Sequence, residues 1–411
     1  MSGAVIQGEG LEEAVSARGD RSRMNSSLHS WDSAKRIPEL DGLRGLAILL
    51  VFLSHYLGGS EHQVHPDWLR RIISATNIGW SGVDLFFVLS GFLIGGILLD
   101  ERRSSSYFRT FYLRRMHRIL PIYYLWILLF AAIVSAALLG APFPYHVNRH
   151  DLLQIPLQLA FLQNMQFDRA PFIFIWFLVT WSLAVEEQFY LLAPPLVRLL
   201  SLRHLIYVLF AAVVVAPFVR LYLFEHMPTG SLAPAFVLPG RADTLACGIL
   251  LAIGWRQEAF HKFLARQRGL LQGAVLFLLL GVILMLPRLV GDITLLRATL
   301  GFSWFAALYS CLVLLVLSQS GGWLAAVMRW KPLRSLGAIS YCVYIIHLTI
   351  LILAHQLILH AGPQIRTLSG IAVTCFAAVS AVAVASISWR YFEKPLITRG
   401  HTYSYVERPA V

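Results

Sequence analysis

Arg44 and His55 stand eleven residues apart in an apolar run, Leu43–Leu57, with the composition of a helix in a membrane. At ~100° per residue, eleven steps return to within ~20° of the starting direction and climb about 16 Å. Both side chains are therefore expected on one stripe, facing one cleft. A guanidinium at the mouth of a cleft and an imidazole deeper inside suit a ligand held by its negative charge while its reactive end reaches a base. Histidine has an unperturbed pKa near neutrality, as a general base for a hydroxyl nucleophile requires. The competing reading is structural: a histidine bonded to a neighbouring helix and an arginine extending toward the interface.

Other ionisable residues fall in or beside apolar runs, where a charge costs ~2.5–3.5 kcal/mol even on the lenient insertion scale. Asp84 is the sole charge between Trp80 and Leu99; it could orient an imidazole as a triad carboxylate does, or lock two helices together. Arg115 and Arg118, three apart, share a helical face at a span edge, and their forks suit phosphate oxygens, although topology alone also enriches such a loop in arginine. Glu186 and Glu187 point about 100° apart, with Ser182, Glu186 and Tyr190 on one face. Arg220 lies within another span. Arg241 and Asp243 read as a local ion pair, and His347 shares a face with Ser340 and Tyr344; packing and substrate contact both suit these residues.

The elements that must position these groups are transmembrane helices. The 411 residues are 57% hydrophobic and only 14% charged, with a mean hydropathy of +0.65. Repeated apolar runs approach the ~20 residues that span ~30 Å of hydrocarbon, and helices satisfy their own backbone polar groups there. The expected fold is all-α, a polytopic bundle of about ten transmembrane helices near 43–57, 80–99, 119–139, 176–195, 205–223, 236–254, 270–286, 298–318, 336–357 and 368–388. The apolar stretch Leu152–Leu162 is a candidate half-inserted segment. Lys and Arg crowd into alternate loops, the segment before the third span alone holding Arg102, Arg103, Arg109, Arg114, Arg115 and Arg118. The positive-inside rule then puts both termini in the cytoplasm.

The net charge of +12 is thus a topology signal spread over short loops, and a nucleic-acid partner is not expected. Cys247, Cys311, Cys342 and Cys375 sit singly in apolar segments, reading as small buried hydrophobes and implying neither disulfide nor metal. Residues 1–35, rich in Ser, Gly, Glu and Arg, read as a disordered cytoplasmic tail. The membrane domain is expected over 36–396, followed by a short tail, 397–411, with no appended soluble catalytic domain. His62-x4-Asp67 matches a spacing of soluble-faced lipid acyltransferases, but with 14 His in the chain and an external loop around it, the match is discounted.

Taken in order, several strings resemble the integral membrane acyltransferase-3 family, which includes O-antigen, exopolysaccharide, Nod-factor and macrolide O-acyltransferases. They are Ile37-Pro38-Glu39-Leu40-Asp41-Gly42-Leu43-Arg44 with the Arg-x10-His spacing to His55; Gly82-Val83-Asp84-Leu85-Phe86-Phe87; Arg115-x-x-Arg118; and Trp181-Ser182-Leu183-Ala184-Val185-Glu186. Arg241-x-Asp243, Ser340-Tyr341 with His347, and Tyr391-Phe392-Glu393-Lys394-Pro395 complete the series. The resemblance implies a multi-pass protein of the bacterial cytoplasmic membrane. It would move an acyl group, commonly acetyl, from cytoplasmic acyl-CoA to a hydroxyl of a cell-surface or lipid-linked carbohydrate, with no metal. On this reading His55 is catalytic with Glu186 or Asp84 in support, and Arg44, Arg115 and Arg118 hold the donor. Arg241, Asp243, His347 and Tyr344 are left to contact substrate. The rival readings are a proton-coupled exporter and a non-catalytic assembly partner.

Overall fold

The computed structural model of the chain describes residues 37–58, 60, 66–165, 176–228, 233–289 and 294–406. The tail 1–35, His62 and the last five residues lie outside them. Among the described residues every regular element is helical. Ten helices fall where the apolar runs predict spans: α1 (Pro38–Tyr56), α2 (Gly82–Asp100), α3 (Tyr107–Leu138), α4 (Trp181–Leu199), α5 (Leu202–His226), α6 (Leu238–Trp255), α7 (Arg268–Leu289), α8 (Phe302–Ser318), α9 (Ser340–Leu359) and α10 (Leu368–Ser388). The apolar stretch Leu152–Leu162 falls on two short helices, Arg149–Leu153 and Ile155–Leu159, and the residues after them.

Local chemistry accounts for the helix ends. Pro38 opens α1, with Glu39 and Asp41 in its first turn, where a fixed φ and negative charge suit the exposed N–H groups. Ser201 caps α5 through the His204 N–H, and Thr367 caps α10 through the Gly370 N–H at 3.0 Å, each satisfying a donor the helix cannot. Prolines within α3, α4 and α5 are tolerated in such surroundings because neighbouring groups re-satisfy the freed carbonyls.

Among the described residues, seven helical stretches are long and apolar enough to cross a membrane: those ending at Asp100, Leu138, His226, Leu289, Ser318, Leu359 and Gly400. The three long helices outside that set, α1, α4 and α6, are the ones carrying Glu39, Asp41 and Arg44, then Glu186, Glu187 and Arg198, then Arg241 and Asp243. Among these charges are Arg44, Glu186, Glu187, Arg241 and Asp243, which sequence reasoning singles out for chemistry. Around the bundle, α5 and α7 expose Phe210, Phe218, Leu276, Phe277 and Leu284; so continuous an apolar belt belongs against lipid.

Inside the bundle, helices meet through small residues, because lipid removes the hydrophobic drive for association and leaves close packing to do the work. α2 and α6 cross at Gly91 and Gly248: a methyl group on Gly248 would lie 2.4 Å from the Val88 carbonyl oxygen, and one on Gly91 would lie 2.2 Å from that of Leu245. α1 is held likewise by the short helix Lys331–Ala338, where a methyl group on Gly337 would lie 1.9 Å from the Asp41 carbonyl oxygen. α2 also packs against α1 and α4, and α9 against α1, which gathers α1, α2, α4, α6 and α9 around a shared interior.

Candidate active site

His55, at the last turn of α1, meets α9. Its Nδ1 lies 3.0 Å from Nε2 of His347, with the ring centroids 5.0 Å apart. His347 is fully buried, and its Nδ1 faces two carbonyls of its own helix, Tyr344 at 2.8 Å and Val343 at 3.0 Å. The Tyr56 hydroxyl donates to the His347 carbonyl at 2.9 Å, so consecutive residues of α1 hold one residue of α9.

The His55 ring lines a hollow of about 210 Å³ together with Trp80, Trp181, Phe236, Phe302, Arg241, Arg297 and Tyr344. The Arg241 guanidinium sits 4.3 Å above the Phe302 ring and 5.4 Å from that of Phe87, placing the cation on electron-rich faces. Its Nη2 pairs with Asp84 at 2.5 Å, both side chains being at most 1% exposed.

This corrects the expected Arg241–Asp243 pair. Two steps along a helix turn a side chain by ~200°, so the two groups leave α6 in opposite directions. Asp243 instead pairs with Arg220 of α5 at 2.9 Å and accepts from the Ser303 hydroxyl at 2.6 Å. Arg220 also donates to the carbonyls of Ala298 (2.6 Å), Thr299 (3.1 Å) and Gly240, and to the Ser303 hydroxyl at 2.6 Å. All of its nitrogens are thereby engaged, which identifies Arg220 and Asp243 as framework. Asp84, considered as a support for the imidazole, instead bonds Arg241; the group in contact with His55 is His347.

Arg44 opens into a different hollow, of about 100 Å³, with Arg115, Arg118, Ser90, Glu186, Tyr190 and Ser182 on its walls. Glu186 accepts hydrogen bonds from the Ser90 and Tyr190 hydroxyls, which lie 3.0 Å from each other. Arg115 stacks 5.5 Å from the Tyr190 ring centroid, and Arg44 lies 3.8 Å from Asp41 one turn back. Three guanidinium groups around so small a space make a cradle for an anion. The expected single cleft is therefore two: Val83 and Tyr344 line both hollows, and the Tyr344 hydroxyl is tied to Ser182 at 2.6 Å. Glu186 belongs to the arginine hollow, away from the walls of the one that holds His55.

The sequence reading did not single out Ser90 as a partner of Glu186, nor the pairing of Arg220 with Asp243. A lone serine in an apolar span carries no spacing signal. The second omission had one: Asp84, Asp243, Arg220 and Arg241 all lie within predicted spans, but their pairing depends on which helices touch. Among the described residues, no group of three or more His, Cys, Asp or Glu is placed to hold a metal ion.

Comparison with known proteins bears on the same residues. The family model described as an acyltransferase domain, acyltransferase-3, matches residues 37–390, a stretch that includes both hollows. YrhL of Bacillus subtilis, named provisionally as a peptidoglycan O-acetyltransferase, is 27% identical over 404 residues, covering 90% of this chain and 56% of its own. The O-acetyltransferase OatA of Staphylococcus aureus is 26% identical over 91% of this chain and 59% of its own. The peptidoglycan O-acetyltransferase OatA of Listeria monocytogenes is 26% identical over 90% and 57%. The chain thus spans somewhat over half the length of these relatives. No solved structure matches it.

Proposed function

The chain belongs to the acyltransferase-3 family, and we propose that it transfers an acyl group, most simply acetyl, from acyl-CoA to a hydroxyl of a cell-surface or lipid-linked carbohydrate. The observation that carries this reading is the adjacency of the two hollows across Tyr344 and Val83. One has the charge to hold a polyanionic donor, and the other has an imidazole and aromatic walls. Arg44, Arg115 and Arg118 would grip phosphate oxygens of the donor, with Glu186 and its two hydroxyl partners fixing the floor beneath its thioester arm. His55 would take the proton of the acceptor hydroxyl, while Trp80, Trp181 and Phe302 offer faces on which a sugar ring packs. Arg241, held by Asp84, and Tyr344 would contact substrate, with Asp243 acting through the α5–α6 framework. The names of the relatives, which refer to O-acetyl transfer and in two cases to peptidoglycan, support a carbohydrate acceptor.

In this proposal the ten long helices span the bacterial cytoplasmic membrane with both termini inside, so that the arginine hollow opens toward cytoplasmic acyl-CoA. The excess of Lys and Arg in alternate loops supports that orientation. The test is incubation of the purified protein in lipid nanodiscs with radiolabelled acetyl-CoA and glycan acceptors, comparing the parent with His55→Ala. Label reaching the glycan only with the parent is the expected result; equal transfer by the variant would remove the catalytic assignment.

A further inference from the structure

We propose that His347 is a positioning residue that sets the tautomer of His55, making His55 Nε2 the atom that accepts the proton of the acceptor hydroxyl. This rests on the reading of His55 as the base. A carbonyl oxygen can only accept, so the proton of His347 sits on Nδ1, which faces the Tyr344 and Val343 carbonyls at 2.8 and 3.0 Å. A neutral imidazole has one N–H, which leaves His347 Nε2 as an acceptor. The atom 3.0 Å away, Nδ1 of His55, must then donate. His55 Nε2 is left with its lone pair, on a ring that lines the 210 Å³ hollow.

The reverse arrangement needs a proton on both nitrogens of His347. That would bury a cation at a site where no carboxylate of the described residues bonds either ring, an expensive state. His347 thus does by neutral hydrogen bonding what the carboxylate of a serine-protease triad does with charge: it holds the base in one tautomer and one orientation. The hold on His347 is itself braced, since the Tyr56 hydroxyl bonds its carbonyl at 2.9 Å.

The step balances as follows. The acceptor oxygen forms its bond to the thioester carbon as its proton passes to His55 Nε2, and the C=O electron pair moves onto oxygen. When that pair returns, the C–S bond breaks, and the departing thiolate takes the proton from Nε2. The Nδ1–H of His55 stays on His347 throughout.

His347→Gln keeps a side-chain acceptor for His55 Nδ1–H, whereas His347→Leu removes it. Both are compared with the parent and His55→Ala in the nanodisc assay, with kcat and KM measured separately and thermal midpoints recorded to confirm folding. The expected result is a fall of ~10²–10⁴ in kcat for His347→Leu, a return to within about tenfold of the parent for His347→Gln, and unchanged KM for both substrates. Equal rates in parent and His347→Leu, equal losses in both His347 variants, or a loss confined to KM would overturn the proposal. An independent readout is nitrogen NMR of the parent labelled with ¹⁵N-histidine, with the His55 signals assigned by their absence from His55→Ala. A protonated Nδ1 and bare Nε2 are expected, and the opposite tautomer sinks the idea whatever the kinetics. Full activity in His55→Ala, by contrast, would remove the base itself and so identify the earlier reading as the one at fault.

Discussion

Arg44 and His55 lie on one stripe of one helix and open into two different hollows, with Tyr344 lining both. On the proposed reading, a donor held by the arginines has its reactive end at this shared wall, which the bond between the Ser182 and Tyr344 hydroxyls, 2.6 Å long, braces. Replacing Tyr344 by Ala is expected to merge the spaces and admit water to the thioester, since closed sites protect reactive groups from hydrolysis. Thiol release from acetyl-CoA without acceptor, followed colorimetrically, should rise about tenfold, while transfer to acceptor falls. A variant with no more hydrolysis than the parent would argue against a dividing role.

The same separation predicts that His55→Ala leaves donor binding intact. Transfer should fall by ~10²–10⁴, whereas calorimetric titration with a non-hydrolysable acyl-CoA analogue should give a Kd within about twofold of the parent. A large loss of affinity would mean that the donor reaches past Tyr344 in its resting complex.

Arg118→Lys retains the charge and discards the planar fork. If the fork grips phosphate oxygens, KM for the donor should rise by about tenfold with little change in kcat. An unchanged KM would return Arg118 to the topology-setting role that any basic loop can play.

Asp84→Asn strips the buried partner from Arg241 and leaves a guanidinium in an aromatic cage. The expected cost is ~3–5 kcal/mol, read as a lower thermal midpoint in detergent. Adding Arg241→Met should recover most of the midpoint without recovering transfer, since the pair is then replaced by neutral volume while the guanidinium is lost from the hollow. Recovery of both would show that Arg241 is framework like Arg220.

The helices and many of these residues were legible in the sequence, and their partners largely were not. Apolar length marks a helix whatever surrounds it, so runs such as Leu205–Leu223 lie within observed helices. Charge on α1, α4 and α6 drew attention to Arg44, Glu186 and Arg241 because a bilayer penalises it. Pairing is a tertiary matter: Arg241 and Asp243, neighbours in the chain, face opposite ways, and His347 finds His55 across 292 positions. Helical stepping predicted the direction shared by Arg44 and His55, but only the packing of α9 and α4 could put Tyr344 and Ser182 across the space between them.

The crossing of α2 and α6 at Gly91 and Gly248 bears on how such a molecule would move. Backbone rests on backbone there, and α2 carries Ser90 on the wall of the arginine hollow and Val83 on the wall that both hollows share. So close a contact makes the two helices a keel, expected to keep the depth separating the chambers nearly constant in a working cycle. Passage between them is then expected from the opposite bank, by a turn of the Tyr344 side chain away from Ser182 while His347 keeps its bond to His55.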